Sequence, residues 1–157
     1  MMSKLAKELV TKAKANNLKI ATAESCTGGI VSSAITSISG SSEVFDRGFV
    51  TYSYESKTDI LGVDAKVISS KGAVSKEVAA KMAQGALANS NADLSVAITG
   101  IAGPLGGTPS KPVGLVWFAT ARGSEIKTYQ FNFTGTRSKI REKASIKALE
   151  LLLKIIN

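Results

Sequence analysis

The chain has 157 residues, 44% of them hydrophobic, with a net charge of +8, one cysteine and no histidine. That length suits one domain with its own core, no apolar run reaches the roughly 18 residues of a membrane span, and a lone cysteine excludes an internal disulfide and fits a reducing, cytoplasmic setting. The missing histidine excludes Ser-His-Asp and Cys-His chemistry and, with the single cysteine, the zinc-finger spacings, so a hydrolase built on this chain takes its base from lysine, a carboxylate or tyrosine.

Leu5, Leu9 and Ala13, flanked by Ala6 and Val10, make one face of a first helix, capped by Ser3 and ended at Asn16-Asn17. Its opening residues interleave charges with apolar side chains and do not read as a secretory signal. Residues 18–23 read as a buried strand, followed by the turn Ala23-Glu24-Ser25-Cys26-Thr27-Gly28-Gly29 and a helix to about Ile38. A second strand is expected over Phe45 and residues 49–54, then a short helix from Glu55 to before Gly62 and another helical turn within 63–71. Ser75 caps a helix whose apolar stripe is Val78, Ala79, Met82, Ala83, Ala86 and Leu87. Residues 94–98 form a strand leading into a glycine- and proline-rich loop over 99–112. Strands over 113–121 and 125–133 flank a hairpin turn at Arg122-Gly123-Ser124, and a last helix from Thr136 carries Ile140, Ala144, Ala148 and Leu151. Helices interleaved with strands plus one hairpin predict an α/β fold, a three-layer α/β/α sandwich with a mixed sheet, in a single domain over residues 1–157.

Four places carry possible chemistry. Ser25 sits between a strand and a helix start, where it acts either as a helix cap or as a nucleophile served by backbone N–H donors of its own turn. Cys26 beside it is a rival nucleophile or a small buried residue. Lys57, after Tyr52-Ser53-Tyr54, is a candidate base if burial lowers its pKa, with Tyr52 relaying a proton or holding it; the other reading is a solvated lysine at a helix start. Thr99-Gly100-Ile101-Ala102-Gly103-Pro104 opens a loop that either admits a phosphate or merely connects strands, and it lacks the GxxxxGK[ST] pattern of a nucleoside triphosphatase. Arg137 and Arg141, one turn apart at the start of the last helix, bind a phosphate or stand solvated. No metal-ligand cluster is visible, and the positive charges form no stripe interleaved with aromatics, which argues against direct nucleic-acid binding.

Glu24-Ser25-Cys26-Thr27-Gly28-Gly29, Gly48-Phe49-Val50-Thr51-Tyr52-Ser53 with Lys57, Gly72-Ala73-Val74-Ser75, Thr99-Gly100-Ile101-Ala102-Gly103-Pro104 and Lys111-Pro112-Val113-Gly114 occur in this order. In that order they resemble the C-terminal domain of the competence-damage-inducible protein A (CinA) family, over nearly the whole chain. The resemblance implies a serine amidohydrolase that deamidates nicotinamide mononucleotide without cofactor or metal. It implies Ser25 as nucleophile, Lys57 as general base, Tyr52 as its assistant and Arg141 as a substrate-binding arginine. Glu24, Thr27, Gly28, Gly29, Thr99, Gly100 and Arg137 complete the expected substrate contacts. Leu105 and Thr136 stand where the family's pattern leads one to expect aspartates. The expected partner is a small nucleotide, with no membrane, and a homo-oligomer is expected through an exposed apolar helix face. The competing reading is a non-catalytic nucleotide-binding or competence-linked interaction module in which Ser25 is only a cap.

Overall fold

Side chains alternate across a strand, and here the alternation sorts the core into two layers of different size. The computed structural model describes residues 1–157: α1 (Met2–Ala15), β1 (Ile20–Glu24), α2 (Ile30–Thr36), β2 (Phe45–Val50), α3 (Tyr54–Leu61), α4 (Ala65–Lys71), α5 (Lys76–Ala88), β3 (Leu94–Gly100), β4 (Leu115–Arg122), β5 (Glu125–Asn132) and α6 (Arg137–Ile156). Ile20, Leu94, Val96, Ile98, Val116 and Phe118 point to one face and pack against α1, α2 and α6. Ala21, Ala23, Ala97, Ala119 and Ala121 point to the other, against the α3–α5 layer. Small side chains on that second face let α5 come close. Ser95 Oγ donates to Ala83 O at 2.8 Å, and a Cβ on Gly85 would collide with Leu61 O.

The sheet order is β2-β1-β3-β4-β5. β1 runs parallel to both β2 and β3, and β4 and β5 return antiparallel as the expected hairpin. The architecture is therefore the three-layer sandwich with a mixed sheet. Several boundaries differ from expectation. The first strand starts two residues later and includes Glu24, which pairs in register with Val50 and Ile98. The second strand stops at Val50, because Ser53 caps α3 by accepting from Ser56 N–H and so draws Tyr54 into the helix. Ser3 lies inside α1, whose N-cap is Met1. Thr99 and Gly100 are the last residues of β3 and do not belong to the loop.

Candidate active site

β1 lies between two parallel neighbours, and beyond its carboxyl end the chain turns away through α2 toward β2 while β3 stands on the other side. In open α/β sheets such a switch point leaves a crevice in which ligands bind. Ser25 is the first residue past β1, and sheet bonding continues around it. Its N–H donates to Ile98 O at 2.9 Å, and Thr51 N–H donates to Glu24 O at 3.0 Å.

Lys57 reaches Ser25 from α3. Its side chain shares a helix face with Leu61, one turn on, and both are buried. Nζ lies 2.9 Å from Ser25 Oγ, 2.7 Å from Thr51 O and 3.1 Å from Tyr52 O. All three partners are uncharged, and the residue is 1% exposed. Burial therefore disfavours the ammonium and pulls the pKa from 10.5 down to about 8. A neutral amine has two N–H donors and one lone pair. As an ammonium Nζ donates to all three partners; once neutral, its two donors serve the carbonyls and its lone pair is left for the Ser25 hydroxyl. The solvated lysine anticipated as an alternative is not what the fold contains. Cys26, next to Ser25, has its thiol pushed up to about 12, chiefly by burial. It stays protonated at neutral pH and is a poor rival nucleophile.

The helix-cap alternative for Ser25 is also corrected. The N-cap of α2 is Gly29, and no cap side chain donates or accepts there. Glu24 fills the role instead: its carboxylate accepts from Val31 N–H at 2.9 Å, Ser32 N–H at 3.0 Å and Ser32 Oγ at 2.7 Å. A fully buried carboxylate on the positive end of a helix satisfies donors that an anionic ligand would otherwise take. Glu24 is not among the residues that line the cleft. Thr27 is fully buried with its Oγ1 unpartnered. Gly28 and Gly29 adopt φ of +58° and +106°, which lets the chain reverse behind Ser25. None of these three residues lines the cleft.

The cleft itself holds about 250 Å³. Ser25, Lys57, Tyr52, Thr99, Gly100 and Arg137 meet in its wall, and Lys57 and Arg137 are its only charged lining residues. Thr99 Oγ1 donates to Ala73 O at 2.8 Å, which ties the end of β3 to the start of the α5 turn. Of the two roles expected of Tyr52, relaying a proton or holding Lys57, its contacts fit the second. Its carbonyl accepts from Lys57, while its hydroxyl accepts from Arg137 Nη2 at 3.0 Å. Arg137 Nη1 donates to Gly103 O at 2.8 Å. Arg141 lies outside the cleft lining: Nε donates to Cys26 O at 2.9 Å and Nη2 to Thr27 O at 3.2 Å. The loop after Gly100 lines the cleft as the family resemblance implies, through the exposed Leu105 among others, whereas Tyr54 and Val74 join it without a signal in the sequence. Their roles depend on how three loops converge, which no local pattern records.

The CinA C-terminal domain model matches residues 2–156. A nicotinamide-nucleotide amidohydrolase PncC of Shigella flexneri is 48% identical over 153 residues, covering 96% of this chain and 92% of the relative. A CinA-like protein of Akkermansia muciniphila is 49% identical over 95% of this chain but only 36% of its own length. The chain spans about a third of the length of the longer curated relatives it matches. Among solved structures, a competence/damage inducible protein from Agrobacterium tumefaciens superposes with a TM-score of 0.97 at 43% identity, covering 99% of this chain and 96% of the other. A CinA superfamily protein from Escherichia coli superposes at 0.95 with 37% identity, covering 99% and 90%.

Proposed function

This chain belongs to the CinA C-terminal domain family, and from that membership we propose that it is an amidohydrolase converting nicotinamide mononucleotide and water to nicotinate mononucleotide and ammonia. The observation that carries the reading is the buried Lys57 Nζ, 2.9 Å from Ser25 Oγ and held there by the carbonyls of Thr51 and Tyr52. In the proposed reaction Lys57 takes the hydroxyl proton as Ser25 Oγ bonds to the carboxamide carbon. The C–N bond breaks, Lys57 passes that proton to the leaving nitrogen, and ammonia departs from a nicotinoyl ester on Ser25. Lys57 next takes a proton from water as the water oxygen attacks the ester carbon. Cleavage of the C–O bond to Ser25 returns the proton to Oγ and releases the carboxylic acid.

The developing oxyanion needs donors from the Ser25 turn. No backbone carbonyl accepts from Cys26 N–H or Thr27 N–H, Cys26 of the two lines the cleft, and such a donor is worth about 3 kcal/mol in the transition state. Arg137 is the proposed anchor for the substrate phosphate, because both of its present partners, Gly103 O and the Tyr52 hydroxyl, are uncharged. Tyr52 then serves by steadying Arg137 with its side chain and Lys57 with its carbonyl. No helix is long and apolar enough to cross a membrane, and the lone cysteine supports the proposed cytoplasmic setting. The test is ammonia release from nicotinamide mononucleotide by wild type and by Ser25→Ala. Release by wild type alone is expected; equal release by both proteins sinks the mechanism, and release by neither sinks the substrate.

A further inference from the structure

Arg141 lies one helical turn beyond Arg137, yet its guanidinium lies behind the Ser25 turn and not in the cleft. Its Nε and Nη2 bond the carbonyls of Cys26 and Thr27. The approach is close: a Cβ on Gly28, at φ +58°, would lie 3.1 Å from Nη2. A trans peptide unit points its C=O and N–H in opposite directions. The Cys26 carbonyl and the Thr27 N–H belong to one such unit, so a guanidinium holding the carbonyl directs that N–H to the far side. The positive charge on the carbonyl also polarises the unit and strengthens its donor. The preceding unit is fixed similarly, since Ser25 O accepts from Gly28 N–H at 3.0 Å and thereby sets the direction of Cys26 N–H. Both N–H groups are left without a backbone acceptor.

We infer that Arg141 is a positioning residue that fixes the turn behind Ser25 for the oxyanion formed there, orienting Thr27 N–H directly and the N–H of the cleft-lining Cys26 through the Thr27 carbonyl and the Gly28 N–H bonded to Ser25 O, and that it is not a ligand of the substrate phosphate. The inference rests on the serine amidohydrolase reading, and its test separates the two. Arg141→Met and Arg141→Lys are compared with wild type in kcat and KM for ammonia release from nicotinamide mononucleotide, and in the rate at which a fluorophosphonate labels Ser25. In Arg141→Met, kcat and the labelling rate fall together by about 10- to 100-fold while KM stays within about threefold. Arg141→Lys recovers part of both, because an ammonium can still donate to the Cys26 carbonyl. A raised KM with kcat and labelling unchanged makes Arg141 a phosphate ligand and overturns the inference, as do wild-type values throughout. If wild type labels but releases no ammonia, the substrate reading fails while the labelling comparison still decides the role of Arg141. If Arg141→Met does not fold, the labelling rate of Arg141→Lys decides it.

Discussion

At the scale of single residues, the site turns on one ionisable side chain placed where such groups are rarely found. Lys57 at 1% exposure is the group that composition gives least reason to bury. The sequence did hold a signal, however: Lys57 lies one helical turn before Leu61, so a helix that buries one tends to bury the other. What no pattern records is the meeting of Lys57 with Ser25, because 32 residues separate them along the chain. Lys57→Met replaces the amine by an apolar chain of similar length. Turnover should fall by at least about 1,000-fold, since nothing else within reach accepts the Ser25 proton. The thermal midpoint should move little, because Thr51 O and Tyr52 O lose a donor while the cost of burying an ammonium disappears. Ammonia assays beside thermal denaturation decide this, and turnover above about a hundredth of wild type in the Met variant removes Lys57 from the role of base.

At the scale of elements, the sequence pattern marked every helix and strand that positions the site, and erred at their ends. The errors share a cause. Sequence alone leaves Ser25 open as the cap of α2, but the carboxylate of Glu24, projecting from the last residue of β1, satisfies the first N–H groups of that helix. Side chains reaching from a neighbouring element are invisible to local rules. Glu24→Gln exchanges an anion for a neutral amide whose NH2 faces the same donors. It should destabilise the fold by about 1–2 kcal/mol in urea unfolding; an unchanged midpoint would deny the carboxylate its capping role. On the opposite layer, Gly85 packs against Leu61 O. Gly85→Ala should cost about 1–3 kcal/mol by the same measurement, as overpacking does, and because α3 carries both Leu61 and Lys57 it should also lower kcat.

At the scale of the whole molecule, the three layers and the hairpin were legible from the order of apolar segments, whereas strand order was not. Placing β1 at the centre of its parallel set is what brings the ends of β1 and β3 and the loop after β2 to one cleft. The net charge of +8 spreads over solvated helix faces, and only two cations line the cleft. Added salt should therefore raise KM for the phosphorylated substrate severalfold while leaving kcat nearly constant; equal loss in both would point away from Arg137 as phosphate anchor. The central claim is that a neutral, buried lysine activates Ser25, and the pH profile of kcat/KM for ammonia release tests it most directly. Because burial holds Lys57 near 8, the base is mostly protonated at pH 7, so kcat/KM should rise with pH through about 8 and level off above about 9. A profile that is flat from about pH 6 to about pH 10, or that falls across that span, would contradict the account.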